Sequence, residues 1–352
     1  MLSIKEISLK TGYSTATISR VFDPRHSHKV KEGTKTKIVS VCEELNYQPK
    51  LSAKALASGK TFTIGLILAA IERDFASLFA AEVISALTRE LRSCNYNLTL
   101  LAVPDDSPEI VDREVLKTFH SSAVDGFVLG AGVIGQGTLA ELSGKNFPVV
   151  AISLPSSIVP NNSISHVYVN NMTGTKELAN HLIKLGHRKI AYLKQEDNYN
   201  LRSELFLQCI REAGGDFNDG DLIRLQTVKR DNFQAIYSAY SAGLENWEKI
   251  KKYSAFVCGN DFLALGLTEA VKCKGMKPGK DVSIAGYDNV EENVNFSVDR
   301  PFLTTIAPPR CQLGIEAGKL IMGLISKKVA RPAKLELQSK LIIRESTGGL
   351  MG

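Results

Sequence analysis

The segment GYSTATISRVF (residues 12–22) brings Ser14, Thr15, Ala16, Thr17, Ser19 and Arg20 close together in the chain. Small hydroxyls of this kind bond phosphate oxygens or base edges, and an alanine leaves room for a thymine methyl. A single arginine presents the fork that matches guanine O6 and N7. At helical spacing Ile18, Val21 and Phe22 point inward, while Thr15, Ala16, Ser19 and Arg20 fall outside. Ser14 and Thr17 lie toward the flanks. A buried helix would want more apolar surface than this, and a purely solvated one more charge.

Such a face needs elements to hold it. Three short helical patterns fill residues 3–47. The first carries Ile4, Ile7 and Leu9, with Gly12 placed for a left-handed turn; Ser14 is an N-cap candidate for the second. The third carries Ile38, Val41, Cys42 and Leu45. Ile7, Ile18 and Val21 can lock two helices at a steep angle across a glycine turn, which is the requirement of a helix-turn-helix. Charge agrees with this. Residues 1–60 hold eleven Lys and Arg against five Asp and Glu, and the remainder holds 32 of each, so all of the formal +6 sits in the first sixth of the chain. One end suits a polyanion and the neutral body suits another task. The competing reading is an ordinary helical hairpin with a solvated basic face. Residues 48–60, QPKLSAKALASGK, read as a linker or as a short helix near Leu51–Ala57, with Pro49 at its start and Gly59 at its end.

From Phe62 apolar strands alternate with amphipathic helices, an α/β pattern of parallel sheets covered on both faces. About ten such strands predict two lobes, with the Pro/Ser/Asn-rich stretch 154–165 as the crossover. The six scattered cysteines form no CxxC pair and read as reduced thiols. No signal peptide opens the chain and no apolar run approaches the ~18 residues of a membrane span, which predicts a cytoplasmic protein. GAGVIG (130–135) fits a dinucleotide-binding glycine pattern. The next strand, however, ends at Ser153 and Leu154 without the acidic ribose partner, so no cofactor is expected. His181 and His187 are wrongly spaced on a helix to share a metal, and no catalytic triad or carboxylate pair stands out.

IKEISLKTGYSTATISRVF and VKEGTKTKIVSVCEELNYQP closely resemble the N-terminus of lactose/galactose repressor-type (LacI/GalR) regulators. GHRKIAYL (186–193), FVCGNDFLALG (256–266), DVSIAGYDN (281–289), LTTI (303–306) and LIIREST (341–347) resemble further landmarks of that family, in its order. The resemblance implies a helix-turn-helix headpiece (1–47), a hinge helix (48–60) and a core (61–352) like the periplasmic sugar-binding proteins. In that core the chain passes between the lobes three times. The expected division is lobe 1 at about 61–160 and 290–320, and lobe 2 at about 161–289 and 321–346. Carried over by position, Thr15, Ala16 and Arg20 match base-reading positions, and Ser14, Thr17 and Ser19 match phosphate contacts. Leu56 matches a leucine wedged into the minor groove, an act that kinks the duplex. Arg202, Asp261 and Asp288 match positions that line the effector cleft; Asp261 reads equally as a cap on the following helix. The sequence departs from the family pattern in DPRHSHKV, about two residues longer than usual, and at Ser153 and Leu205. The implied protein is a homodimeric repressor on double-stranded operator DNA, controlled by a small effector, a sugar sooner than a purine. The alternatives are a sugar-binding protein for transport and a nucleotide-dependent α/β enzyme.

Overall fold

A computed structural model describes residues 2–23, 26–47, 55, 58–69, 78–103, 107–130, 134–152, 164–195, 201–225, 232–292 and 300–349. The headpiece is built from α1 (Ile4–Thr11), α2 (Thr15–Val21) and α3 (Glu32–Glu44). Ser3 opens α1 with a capping box: its backbone amide donates to Glu6 at 2.6 Å and its hydroxyl accepts from the Glu6 amide. Gly12 closes α1 at φ 76°, the left-handed conformation that glycine adopts without Cβ strain. Ile7, Ile18, Val21, Ile38 and Cys42 form the buried centre, with Tyr13, Phe22 and Leu45 packed around it. Leu9 is 85% exposed, contrary to the sequence expectation, because residues two apart point to different sides of a helix.

The core holds two six-stranded sheets. Along the chain come β1 (Thr63–Ala69), α4 (Leu78–Ser93), β2 (Asn97–Val103), α5 (Pro108–His120), β3 (Gly126–Leu129), α6 (Gln136–Gly144), β4 (Val149–Ile152) and β5 (Ser165–Asn170). Then follow α7 (Met172–Lys184), β6 (Ile190–Gln195), α8 (Leu201–Glu212), β7 (Leu222–Leu225), α9 (Asn232–Glu245), α10 (Trp247–Ile250), β8 (Ala255–Cys258), α11 (Asp261–Cys273) and β9 (Ser283–Tyr287). The chain closes with β10 (Thr304–Ala307), α12 (Arg310–Ile325), β11 (Lys334–Gln338) and β12 (Lys340–Ile342). The strand orders are β11-β5-β4-β3-β1-β2 and β12-β10-β9-β8-β6-β7. Every pairing is parallel except β10 with β12. Each sheet buries an apolar cluster on both faces, which explains strands such as GFVL, VVAI and AFVC that are apolar throughout.

Sheet membership corrects the expected lobe boundaries. β5, α12 and β11 belong to the first lobe, so 165–170 and 321–338, expected in the second, join 310–320 there. β10 pairs with β9, so 304–307, expected in the first lobe, belongs to the second. The chain crosses after β5, between β10 and α12, and at Ser339, where the continuous run KLELQSKLI is split between the two sheets. Ser339 laces two crossings together: its amide donates to the Asn170 carbonyl at 3.2 Å, and its hydroxyl accepts from the Gly174 amide at 3.3 Å.

Two histidines, His166 and His187, are buried and a third, His181, is half-buried. His166 is 2% exposed and neither ring nitrogen has a hydrogen-bond partner. His187 binds Ser254, Ser283 and the Gly348 carbonyl, and His181 binds Thr347 at 2.9 Å. Burial pushes all three imidazoles below their ordinary pKa. The unfolded chain therefore takes up protons at a higher pH than the native chain. Stability is fully present above the unfolded value of about 6.5 and is lost as pH falls through the depressed native values. Urea melts at pH 7.5 and 5.5 are expected to show lower stability at pH 5.5, and His166→Phe is expected to reduce that loss.

Candidate functional site

The first candidate surface is the outer side of α2. Ser14 caps the helix, its hydroxyl accepting from the Thr17 amide at 3.1 Å and lying 2.9 Å from the Thr17 hydroxyl. Ser14, Thr15, Ala16, Ser19 and Arg20 are exposed and Thr17 is half-buried. Ile18 and Val21, which are buried, fix the helix to its neighbours. Arg20 has no ion-pair partner among the described residues, so its guanidinium is available to an external acceptor. Leu56, expected as a minor-groove wedge, lies outside the described residues. Downstream of the linker the chain is pinned: the Asp125 carboxylate accepts from the Thr61 amide and hydroxyl and the Phe62 amide at 2.8–3.0 Å. The headpiece connection therefore leaves the first lobe from a defined point.

The second surface lies at the carboxyl ends of β6, β8 and β9, three neighbours in one sheet. In parallel sheets ligand crevices open at that end. Arg202 sits in the first turn of α8, after β6, and Asp288 follows β9. One guanidinium nitrogen of Arg202 donates to the Gly259 carbonyl after β8 at 2.9 Å, and another lies 3.3 Å from Asp288. The guanidinium also stands 3.6 Å from the centre of the Tyr287 ring. Burial opposes the arginine's charge, but Asp288 and the ring outweigh it and its pKa is raised. Tyr287, whose hydroxyl donates to Asn171, is pushed up to about 12, chiefly by burial. The Arg202 and Asp288 side chains remain 36% and 18% exposed, enough to meet a ligand.

Asp261 does not join them. It is fully buried, with one oxygen accepting from the Thr305 hydroxyl at 2.7 Å and the other from the Val290 amide at 2.8 Å. The cap of α11 is Asn260, not Asp261. Both readings of Asp261 are thus corrected: its carboxylate ties the segment after β9 to β10 from inside. A Cβ on Gly286 would collide with that carboxylate, so the close approach requires glycine there. Asp288 and Asn289 take φ of 103° and 53°, a conformation non-glycine residues rarely hold. The turn is secured from several sides: Asp288 N donates to Ile306 O at 2.9 Å, Asn289 N to the Thr305 hydroxyl, and Arg344 to the Asn289 side chain at 2.7 Å.

Sequence reasoning missed Tyr287, Asn171 and Arg310 around this turn. Tyr287 adjoins Asp288 in GYDN and was within reach; no local signal marks the other two. Gly135, the last glycine of the 130–135 pattern, has a packing explanation. Gly135 at the start of α6 donates its amide to the Asp112 carboxylate at 2.9 Å, and that carboxylate occupies the space of a Cβ. The chain's own anion fills the place a phosphate would take. Among the described residues no cluster of His, Cys, Asp or Glu could hold a metal, and no helix is long and apolar enough to cross a membrane.

A basic helical headpiece joined to a two-lobed core with a charged cleft defines a ligand-responsive DNA-binding regulator. Residues 3–50 match the bacterial regulatory proteins of the lacI family, and residues 61–345 match the periplasmic binding proteins and sugar binding domain of that family. The chain belongs to the LacI family: it is a DNA-binding transcriptional regulator, not an enzyme. It is 27% identical to the HTH-type transcriptional regulator RegA of Clostridium saccharobutylicum, covering 98% of this chain and 99% of that protein. Among solved structures, a Lac repressor bound to ONPG aligns over 98% and 99% of the two chains with TM-score 0.79 at 20% identity. A CelR–cellobiose complex aligns over 98% and 100% with TM-score 0.65 at 21% identity.

Proposed function

We propose that the chain is a cytoplasmic homodimeric repressor that binds a palindromic operator and releases or tightens on it when a small ligand enters the cleft. Thr15, Ala16 and Arg20 read bases; Ser14, Thr17 and Ser19 bond phosphates; Leu56 wedges the minor groove between half-sites. The observation that carries this reading is the outward set Thr15, Ala16, Ser19 and Arg20 on a helix whose inner side is locked by Ile18 and Val21. A dimer follows because a pair of half-sites requires two recognition helices a whole number of turns apart.

The ligand is hydroxyl-rich, a sugar or sugar derivative. An aspartate beside an arginine offers an acceptor and several donors to adjacent hydroxyls. Tyr287, beside Asp288, is buried and carries Arg202 on its face, so its ring is not free to stack a purine. The CelR complex, which holds cellobiose, supports the same class. Coupling is reciprocal: the factor by which ligand changes operator affinity is the factor by which operator changes ligand affinity.

A gel shift on DNA upstream of the chain's own gene, with and without cellobiose, D-ribose and hypoxanthine, tests the reading. Specific retardation altered by a sugar is expected; retardation altered by hypoxanthine alone would overturn the ligand class. In a thermal-shift series on the same compounds, Asp288→Ala is expected to lose the ligand-induced rise in Tm. A full rise in that variant would remove Asp288 from the ligand site.

A further inference from the structure

We infer that Arg310 is a positioning residue that ties the ligand-binding turn of the second lobe to helix α4 of the first. The inference rests on the cleft assignment above for its consequence, not for its geometry. Arg310 is the first residue of α12, immediately after Pro308 and Pro309, and is only 7% exposed. Its Nε donates to Glu82 on α4 at 2.9 Å. One terminal nitrogen donates to the Asp288 carbonyl, and the other reaches the Asn289 carbonyl at 3.4 Å. One planar fork therefore spans both lobes, and its acceptors in the second are the two carbonyls of the positive-φ turn.

The placement is electrostatically unusual. A cation in the first turn of a helix meets the positive end of the helix dipole, and α12 has no acidic residue there to offset it. Glu82 and the two carbonyls supply the compensation. Arg310 is also carried on a rigid mount. A Cβ on Gly314 would strike the Val83 carbonyl of α4, and one on Gly318 would strike the Glu90 side chain, so the two helices are packed at backbone distance. Arg310 moves with α4 and the first lobe. A ligand engaging the Asp288 carboxylate acts on the same residue whose carbonyl Arg310 holds. Any shift of that turn either drags α4 or breaks the fork, which makes the ligand state legible in the lobe from which the headpiece linker leaves.

Hydrogen exchange of the full-length chain without ligand reads the tie. The reporters are the amides of Asp288 and Asn289. Arg310→Met keeps the length and removes every donor; it is expected to raise exchange at both amides about tenfold. Glu82→Leu, in the other lobe, removes the acceptor; it is expected to raise exchange at the same two amides, and to add nothing in the Arg310→Met background. Arg310→Lys is expected not to restore protection, because one ammonium cannot span the three acceptors. The tie is overturned if Glu82→Leu leaves both amides at wild-type exchange, or if its effect persists undiminished without Arg310. Should Arg310→Met fail to fold, the Glu82→Leu result decides alone. A ligand screen that fails while the exchange results hold would reject the cleft assignment and leave the tie; the converse would reject the tie alone.

Discussion

Arg20→Ala is expected to weaken binding to an operator, selected from random duplexes by the wild-type chain, by roughly 5- to 150-fold. That is the ~1–3 kcal/mol carried by a bidentate arginine–guanine contact. The loss should be confined to operators keeping the guanine that Arg20 reads; duplexes changed at that base pair should bind wild type and variant alike. The salt dependence separates a base contact from a phosphate contact. If Arg20 touches a base, the slope of log affinity against log salt stays unchanged, whereas losing a phosphate contact lowers it by about one. Folding should be untouched, because the side chain is exposed and alanine is a better helix former than arginine. Binding that survives the substitution unchanged would reject α2 as the reading helix. Lys37→Ala serves as the contrast. Lys37 stands near the Tyr13 ring, 5.7 Å from its centre, and its loss should lower affinity on operator and random DNA equally.

The headpiece was legible because its determinants are local. Ser3, Gly12 and Ser14 announce helix ends through groups within a few residues, and Ile7, Ile18 and Val21 interlock over a short loop. The alternation that predicts two parallel-sheet lobes is equally local. What the sequence could not carry is which sheet a strand enters. SHVYVN fits either lobe by its pattern; its place is set between β4, where Val150 pairs with Ser165, and β11, whose Lys334 pairs with His166 from more than 160 positions away. KLELQSKLI reads as one strand because nothing in its pattern shows that Ser339 turns from one sheet to the other. The cleft was half legible for the same reason. Arg202 and Asp288, singled out by the family resemblance, meet in the structure, but burial separates Asp261 from them, and burial depends on Thr305, Val290 and Gly286 arriving from elsewhere in the chain.

Asp261→Ala is expected to be the most destabilising single change considered, by about 2–4 kcal/mol, since it leaves a buried hydroxyl and a buried amide without acceptors. Equilibrium urea melts measure the loss, and the midpoint should fall with little change in slope. Asp261→Asn separates geometry from charge. Its amide oxygen can accept from Val290, and Thr305, a hydroxyl, can turn to accept from the new NH2 group. The native carboxyl is held well above the usual carboxylate range, first by burial and then by the charges of Asp288 and Glu291; the Thr305 and Val290 bonds oppose this. A group with a raised native pKa adds stability below its unfolded value of about 3.9 and loses that contribution as pH rises through the native value. Asparagine does not titrate. The asparagine variant should therefore gain on wild type between pH 4 and pH 8, whereas the alanine variant should stay destabilised at both ends. If asparagine proved as damaging as alanine at every pH, the site would require two acceptors and hence an ionised carboxylate, contrary to its burial. The ligand response completes the separation: Asp261→Asn should keep the ligand-induced rise in Tm that Asp288→Ala loses. A folded asparagine variant without that rise would return Asp261 to the ligand site that the family resemblance implied.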